Sequence, residues 1–491
     1  MLGADGTLVR TLPSAASAGR PDVAGASRAG AFACLADGGM VGLGRRFFRE
    51  GGGLTGCGRR RCSMVMRTDE PTQARQASRM AAFRRFLAFV GPGFLVAVGY
   101  MDPGNWATDL AGGSRYGYSL LWVILLSNLM AVLFQHLCVR LNVATGLDLA
   151  QACRQRYSSF VGKFLWASAQ IGIIACDLAE LLGSAIALQI LFGIPLFFGA
   201  IITALDVLIL LALTRLGYRW LEAFVAVLVF TTAACIGVEL LLAQPVMAEI
   251  LRGFIPTTEV LARPGMLFIA LGIIGATVMP HNLYLHSSIV GTRSFGLTEA
   301  SKKEAIRFAT LDSTIALTFA FFVNAGLLVL SAAAFHGRPE AVTDIREAHR
   351  LLDGVLGSTI AGTLFALALL SSGQNATITG TLAGQIVLEG FLKIKTVGWV
   401  VRIATRLAAL LPALVVLGLS GEGRVESLLL WSQVILSLQL GFACWPLVKM
   451  TGDSAFMGNY VSPRWVNLLG WVATLVVVSA SLWFVADFFI H

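Results

Sequence analysis

A carboxylate, two carboxamides, a thioether and an imidazole stand at two interruptions of apolar sequence. The first is Gly99-Tyr100-Met101-Asp102-Pro103-Gly104-Asn105 and the second Val278-Met279-Pro280-His281-Asn282. Each puts a proline where a continuous helix would lose a backbone hydrogen bond and clash with the preceding turn. Polar groups at bilayer depth are expensive, and irregular backbone is tolerated there only when it lines a cavity enclosed by protein. Unwinding at Pro103-Gly104 frees carbonyls before the break, and the C-terminus of a half-helix is the negative end of a dipole that suits a cation. Asp102 adds a full negative charge, Asn105 a neutral oxygen and Met279 a soft sulfur. A thioether favours Mn²⁺, Fe²⁺, Co²⁺ or Cd²⁺ over Mg²⁺ and Ca²⁺, which prefer shells made entirely of oxygen. The blander readings are Met279 as core filler and Asp102 as a helix cap. The position of Met279 directly before Pro-His-Asn favours the site.

Other ionisable residues fall inside apolar stretches. Asp177 and Glu180 are three apart and share a helical face. Two carboxylates at membrane depth point to a proton relay, with Arg406 as counter-charge, as the next relay member or as the partner in a structural ion pair. His281 and His286 are five apart, roughly 140° around a helix, and do not share one metal as an i, i+4 pair would. Either imidazole can titrate near neutral pH. The remaining polar residues of the spans, Asn128, Asp312, Asn324, Gln374, Asn375 and Gln433, are expected to bond across helices. No His-Glu-x-x-His and no Walker-A pattern occurs, which disfavours a metalloprotease and an ATPase. Eight cysteines are scattered without zinc-ligand spacing, and those in apolar stretches, Cys176 among them, read as small hydrophobes.

The elements that must position these groups are membrane spans. The chain is 56% hydrophobic and 13% charged, and repeated apolar segments account for it. Spans are expected near 86–114, 118–140, 163–191, 195–214, 219–242, 265–291, 309–335, 358–391, 398–419, 427–448 and 464–488, with the first and sixth broken. Most of the net charge of +9 sits in residues 1–87, which carry 14 Arg, no Lys and six acids, so nucleic acid is not an expected partner. Residues 1–80, rich in Gly and Arg, are expected to be disordered; a transit peptide and a misassigned start are the alternatives. With the N-terminus inside, fifteen basic residues fall in inner loops and seven in outer ones, which places the N-terminus in the cytoplasm and the C-terminus outside. An offset of five makes 81–242 and 265–450 inverted repeats whose breaks meet at the midplane, with 464–488 peripheral. A transporter domain over 81–491 follows. Its titratable spans suggest coupling to protons, and a fixed negative charge at the break disfavours an organic acid as substrate.

Gly91-Pro92-Gly93 leading to Met101-Asp102-Pro103-Gly104-Asn105-Trp106-Ala107-Thr108, followed by Gly275-Ala276-Thr277-Val278-Met279-Pro280-His281-Asn282, closely resembles the Nramp family, the natural resistance-associated macrophage proteins. Asp177-Leu178-Ala179-Glu180 and Gly373-Gln374-Asn375-Ala376-Thr377 are similar to further family segments, and the resemblance runs from about Ala82 to the C-terminus. It implies an all-α integral membrane protein with a LeuT-type 5+5 inverted repeat. It also implies H⁺-coupled import of Mn²⁺ or Fe²⁺ by alternating access, by a monomer, in a bacterial inner membrane or, if the tail is a targeting signal, an organelle. The ions would be substrates, with no cofactor and no enzymatic reaction. Carried over by motif, Asp102, Asn105 and Met279 would be side-chain metal ligands, the carbonyls of Gly99 and Ala276 would contribute in different conformations, and Gln433 would approach the occluded ion. The family often has Ala in place of Gly99, which a carbonyl ligand does not require. Asp102, His281, Glu180, Asp177 and Arg406 match the proton pathway. Some divergent relatives lack the motif Met and move Mg²⁺ or Al³⁺; this chain keeps Met279. The alternative is the same fold carrying Mg²⁺ or a small organic cation.

Overall fold

The computed structural model describes Phe86 and residues 90–205, 218–293, 295–296, 298–358, 360–393 and 398–490. The expected tail over residues 1–80 lies outside the described residues. Those described are helical, with turns and no strand. The main helices are α1 (Pro92–Ala97, continued by a 3₁₀ turn, Val98–Met101), α2 (Pro103–Tyr116), α3 (Leu121–Thr145), α4 (Ser159–Phe192), α5 (Leu196–Ala204) and α6 (Tyr218–Ala243). They continue as α7 (Pro264–Thr277), α8 (Pro280–Ile289), α9 (Glu299–Phe335), α10 (Ala361–Leu392), α11 (Gly398–Ser420), α12 (Val425–Thr451) and α13 (Arg464–Ile490).

Local sequence sets the ends. Pro92, Pro103, Pro264 and Pro280 each open a helix. There the missing N–H costs nothing and the fixed φ is already helical. Side chains of Asp102, Ser158 and Thr298 cap α2, α4 and α9. Gly146 and Gly193, both left-handed, close α3 and α4. The Thr298 cap starts α9 ten residues before the expected apolar span, because its first turns are polar and precede the apolar part.

The order is a broken helix, four more helices, a second broken helix, four more, and α13. This is the expected five-plus-five arrangement, and the odd offset makes the second unit run opposite to the first. The fourth expected span is described only as far as Leu205. Seven helical stretches among the described residues are long and apolar enough to cross a membrane. One of them, Pro103–Thr145, is interrupted at Gly117 and holds the second half of the first expected span and all of the second. Pro92–Met101 is apolar but short because of its break. α10 is long but less apolar, because Ser371, Ser372, Gln374 and Asn375 interrupt its apolar run.

α4 packs along α10, α9 along α2 and α3, and α12 along α7 and α4. The broken helices are thereby enclosed. In the second one, 94% of the apolar window is buried, against 28% for α13, so the break is central and α13 peripheral.

Candidate functional site

Each break frees one particular carbonyl. In an unbroken helix residue 103 would donate its N–H to the carbonyl of Gly99, and residue 280 to that of Ala276. Both donors are prolines, so both carbonyls lose their helical partner. At the first break Asp102 turns to extended backbone (φ −76°, ψ 167°) and accepts from the Asn105 N–H at 2.8 Å. Its Oδ2 has no partner among the described residues, and the side chain is fully buried. Asn105 Nδ2 donates to the Tyr100 carbonyl at 2.6 Å, which leaves Oδ1 as the oxygen it can offer. The second unit holds this turn: Asn324 Nδ2 of α9 also donates to the Tyr100 carbonyl, at 2.7 Å, and the Ser372 hydroxyl of α10 donates to that of Met101.

The two breaks touch. A Cβ on Gly99 would overlap the Asn282 amide, and Asn282 Nδ2 lies 3.5 Å from Met279 Sδ. On the other side a Cβ on Gly104 would overlap the Gln433 amide of α12. Gln433 Nε2 donates to Ser432 Oγ at 2.9 Å, while its Oε1 and Asn282 Oδ1 are buried without partners. Among the described residues, three acceptor oxygens, on Asp102, Asn282 and Gln433, therefore lack donors near one thioether and two carbonyls that lose their i+4 helical donor. Buried acceptors without donors are costly unless a cation satisfies them. Among the described residues no three His, Cys, Asp or Glu side chains form a metal-holding group. Any cation held here would instead be bound by a mixed set of carboxylate, amide, carbonyl and thioether groups.

The acid–base groups lie beside this centre. Met279 packs with Cys176 of α4 and Leu436 of α12. Cys176 Sγ is 3.3 Å from Glu180 Oε1 and 3.7 Å from His281 Nε2. Arg406 Nη1 of α11 is 3.7 Å from Glu180 Oε2, with both side chains buried, and Arg406 Nη2 donates to Thr377 Oγ1 at 3.1 Å. A Cβ on Gly380 would lie 2.7 Å from Asp177 Oδ1 and 3.2 Å from Glu180 Oε1, so α10 presents a glycine where both carboxylates converge. The spacing of the histidines has the expected effect: His281 faces α4, whereas His286 Nδ1 meets Gln135 Oε1 of α3, whose Nε2 donates to the Tyr100 hydroxyl. Asp312 bonds across helices as expected, accepting from the Gly93 N–H at 2.7 Å.

Of the residues gathered here, Gln135, Ser372, Gly380 and Leu436 go unnamed in the sequence reading, and three others hold a place that the sequence does not give them. Cys176 was taken for a hydrophobe, and nothing in its apolar surroundings distinguishes a bridging thiol from a packed one. Asn282 was quoted in the motif but given no role. Asp109, two turns beyond Asp102 on the same face, is buried with Oδ2 unpartnered, and its i, i+7 spacing was the available signal. Glu239 on α6 is also buried with neither oxygen bonded, outside this centre.

The natural resistance-associated macrophage protein-like (Nramp) family model matches residues 93–487. A divalent metal cation transporter MntH of Nostoc sp. (strain PCC 7120) is 55% identical over 402 residues, covering 82% of this chain and 91% of the relative. One from Xanthomonas campestris pv. campestris is 56% identical over 400 residues, covering 81% and 90%. Among solved structures, the Eremococcus coleocola manganese transporter in complex with an aromatic bis-isothiourea substituted compound is 39% identical, with a TM-score of 0.76 and coverage of 82% and 86%. Mhp1, a nucleobase-cation-symport-1 family transporter, is 14% identical with a TM-score of 0.50 over 81% and 93% of the chains, a likeness of fold alone.

Proposed function

The chain belongs to the natural resistance-associated macrophage protein family, and on that premise we propose that it is a proton-coupled transporter of divalent transition-metal ions, not an enzyme. Mn²⁺ and Fe²⁺ are the main substrates, with Co²⁺ and Cd²⁺ also accepted. The observation that carries this reading is the set of unpartnered acceptors between two proline breaks, with a thioether beside them. Asp102, Asn105 and Met279 hold the ion through their side chains, the Gly99 and Ala276 carbonyls contribute as the site opens to one side or the other, and Gln433 closes on it. The sulfur favours soft ions over Mg²⁺ and Ca²⁺. Asp102, His281, Glu180, Asp177 and Arg406 carry the proton, which is held off the metal path by the Cys176 contact and balanced by the guanidinium. The ion enters from outside, sheds most of its water at the breaks and leaves to the cytosol as the broken helices rock. The N-terminus lies inside and the C-terminus outside, and one chain suffices.

Mn²⁺ uptake into proteoliposomes under an inward pH gradient tests the reading. Asp102→Ala should abolish uptake, and Met279→Ala should weaken Mn²⁺ and Cd²⁺ transport while admitting Ca²⁺ or Mg²⁺. Normal uptake by Asp102→Ala, or no divalent flux in the wild type, would overturn it.

A further inference from the structure

Away from the breaks, an apolar groove runs between α4, α12 and α13. It encloses about 620 Å³ and is lined by twelve residues, among them Leu165, Phe442, Trp445, Val478 and Leu482, none of them charged. Its floor is tight, because a Cβ on Gly441 would lie 2.8 Å from Val478. One end is different in character. Tyr157, which lines that end, has a hydroxyl with no hydrogen-bond partner among the described residues. Lys449 follows Phe442 and Trp445 along the same face of α12, and its Nζ sits 5.9 Å from the Tyr157 ring centroid. The ammonium pairs with no carboxylate among the described residues, and the neighbouring Arg156 is already matched by Asp453 at 2.8 Å.

Depth comes from the aromatic residues. Trp445 stacks edge-on against Trp471 of α13 with centroids 4.7 Å apart, and tryptophans at this level mark a membrane–water interface. From Val478 to Val485 the groove follows α13 for roughly 10 Å. That is about two-thirds of one leaflet, whose hydrocarbon is about 15 Å deep. An apolar groove that ends beside an exposed ammonium with no carboxylate partner among the described residues matches an acyl-chain segment of a phospholipid with a negative headgroup. Basic pockets between spans recognise such headgroups.

We propose that this groove is a binding site for one anionic phospholipid, with an acyl chain against α12 and α13 and its phosphate on Lys449 beside Tyr157. The site lies outside the ion path and stands whether or not the ion assignment does. Native mass spectrometry of the full chain in detergent, titrated with phosphatidylglycerol and phosphatidylcholine of matched chains, tests it. Wild type should retain phosphatidylglycerol with a roughly fivefold preference, the effect expected of one surface lysine. Lys449→Gln should erase that preference while keeping the melting temperature of the lipid-free protein, and Ser481→Trp, which fills the groove, should lower retention of both lipids. Equal retention of the two lipids by wild type, or an undiminished preference in Lys449→Gln, would show a nonspecific annular contact and end the proposal. So would retention unchanged by Ser481→Trp.

Discussion

Replacing Cys176 separates two properties of its side chain. Serine keeps a hydroxyl able to meet Glu180 and His281, whereas valine keeps the apolar volume against Met279 and loses both polar contacts. Losing a buried hydrogen bond costs about 1–3 kcal/mol, or around tenfold in a rate that depends on it. Cys176→Val should therefore lower metal-driven proton entry about tenfold in proteoliposomes carrying a pH-sensitive dye, and Cys176→Ser should leave it near wild type. Equal rates in the two variants would reduce the thiol to packing. At this scale the sequence was legible where a residue type was out of place in its surroundings. Asp102, Asp177, Glu180 and Arg406 announce themselves as charges in apolar runs. A thiol in an apolar helix does not, and Glu239 lies close enough to the end of α6 to pass for a boundary charge.

The breaks are properties of helices, and their effect on the site is one of register. Pro280→Ala would restore an N–H four residues after Ala276, so the carbonyl regains a helical donor and α7 and α8 tend to join. The expected outcome is a KM for Mn²⁺ raised about tenfold, the loss of one coordinating interaction worth ~1.4 kcal/mol, with a melting temperature at or above that of wild type. An unchanged KM would mean that the Ala276 carbonyl takes no part. The helices themselves were readable because apolar length and proline position are local signals, and their ends drifted most where polar turns, as at Thr298, extend beyond the apolar stretch. The contacts that assemble the site were not readable. Gly104 against Gln433 joins residues more than three hundred positions apart, and a glycine followed by asparagine carries no mark of that partner.

Across the whole molecule, the short helix Leu149–Arg156 ties the two units together away from the membrane-spanning segments. The Leu149 N–H donates to Ser287 Oγ of α8 at 2.9 Å, and Arg154 donates to the Gly390 carbonyl at the end of α10. Asp148 caps this helix through the Gln151 N–H at 2.8 Å, and burial pushes its carboxyl up to about 6, against the lowering pull of those backbone bonds. A carboxyl raised in the folded state contributes stability that is complete below its ordinary value of about 3.9 and is lost as pH rises through about 6. Asp148→Asn keeps a cap without the charge. Its melting temperature in detergent should exceed that of wild type above pH 7 and match it near pH 4, a difference of at most about 3 kcal/mol. Curves that stay parallel across this range would dissociate the clasp from Asp148.

The prolines at 103 and 280 carry one more consequence, which belongs to genetics. On the proposed reading, two of the oxygens offered to the ion are main-chain atoms, present whatever side chain stands at 276, while their availability is decided four positions downstream. A saturation screen for loss of uptake would accordingly score Pro280 as essential and let Ala276 vary among small residues. The map of intolerant codons would be displaced by about one helical turn from the map of atoms that meet the metal.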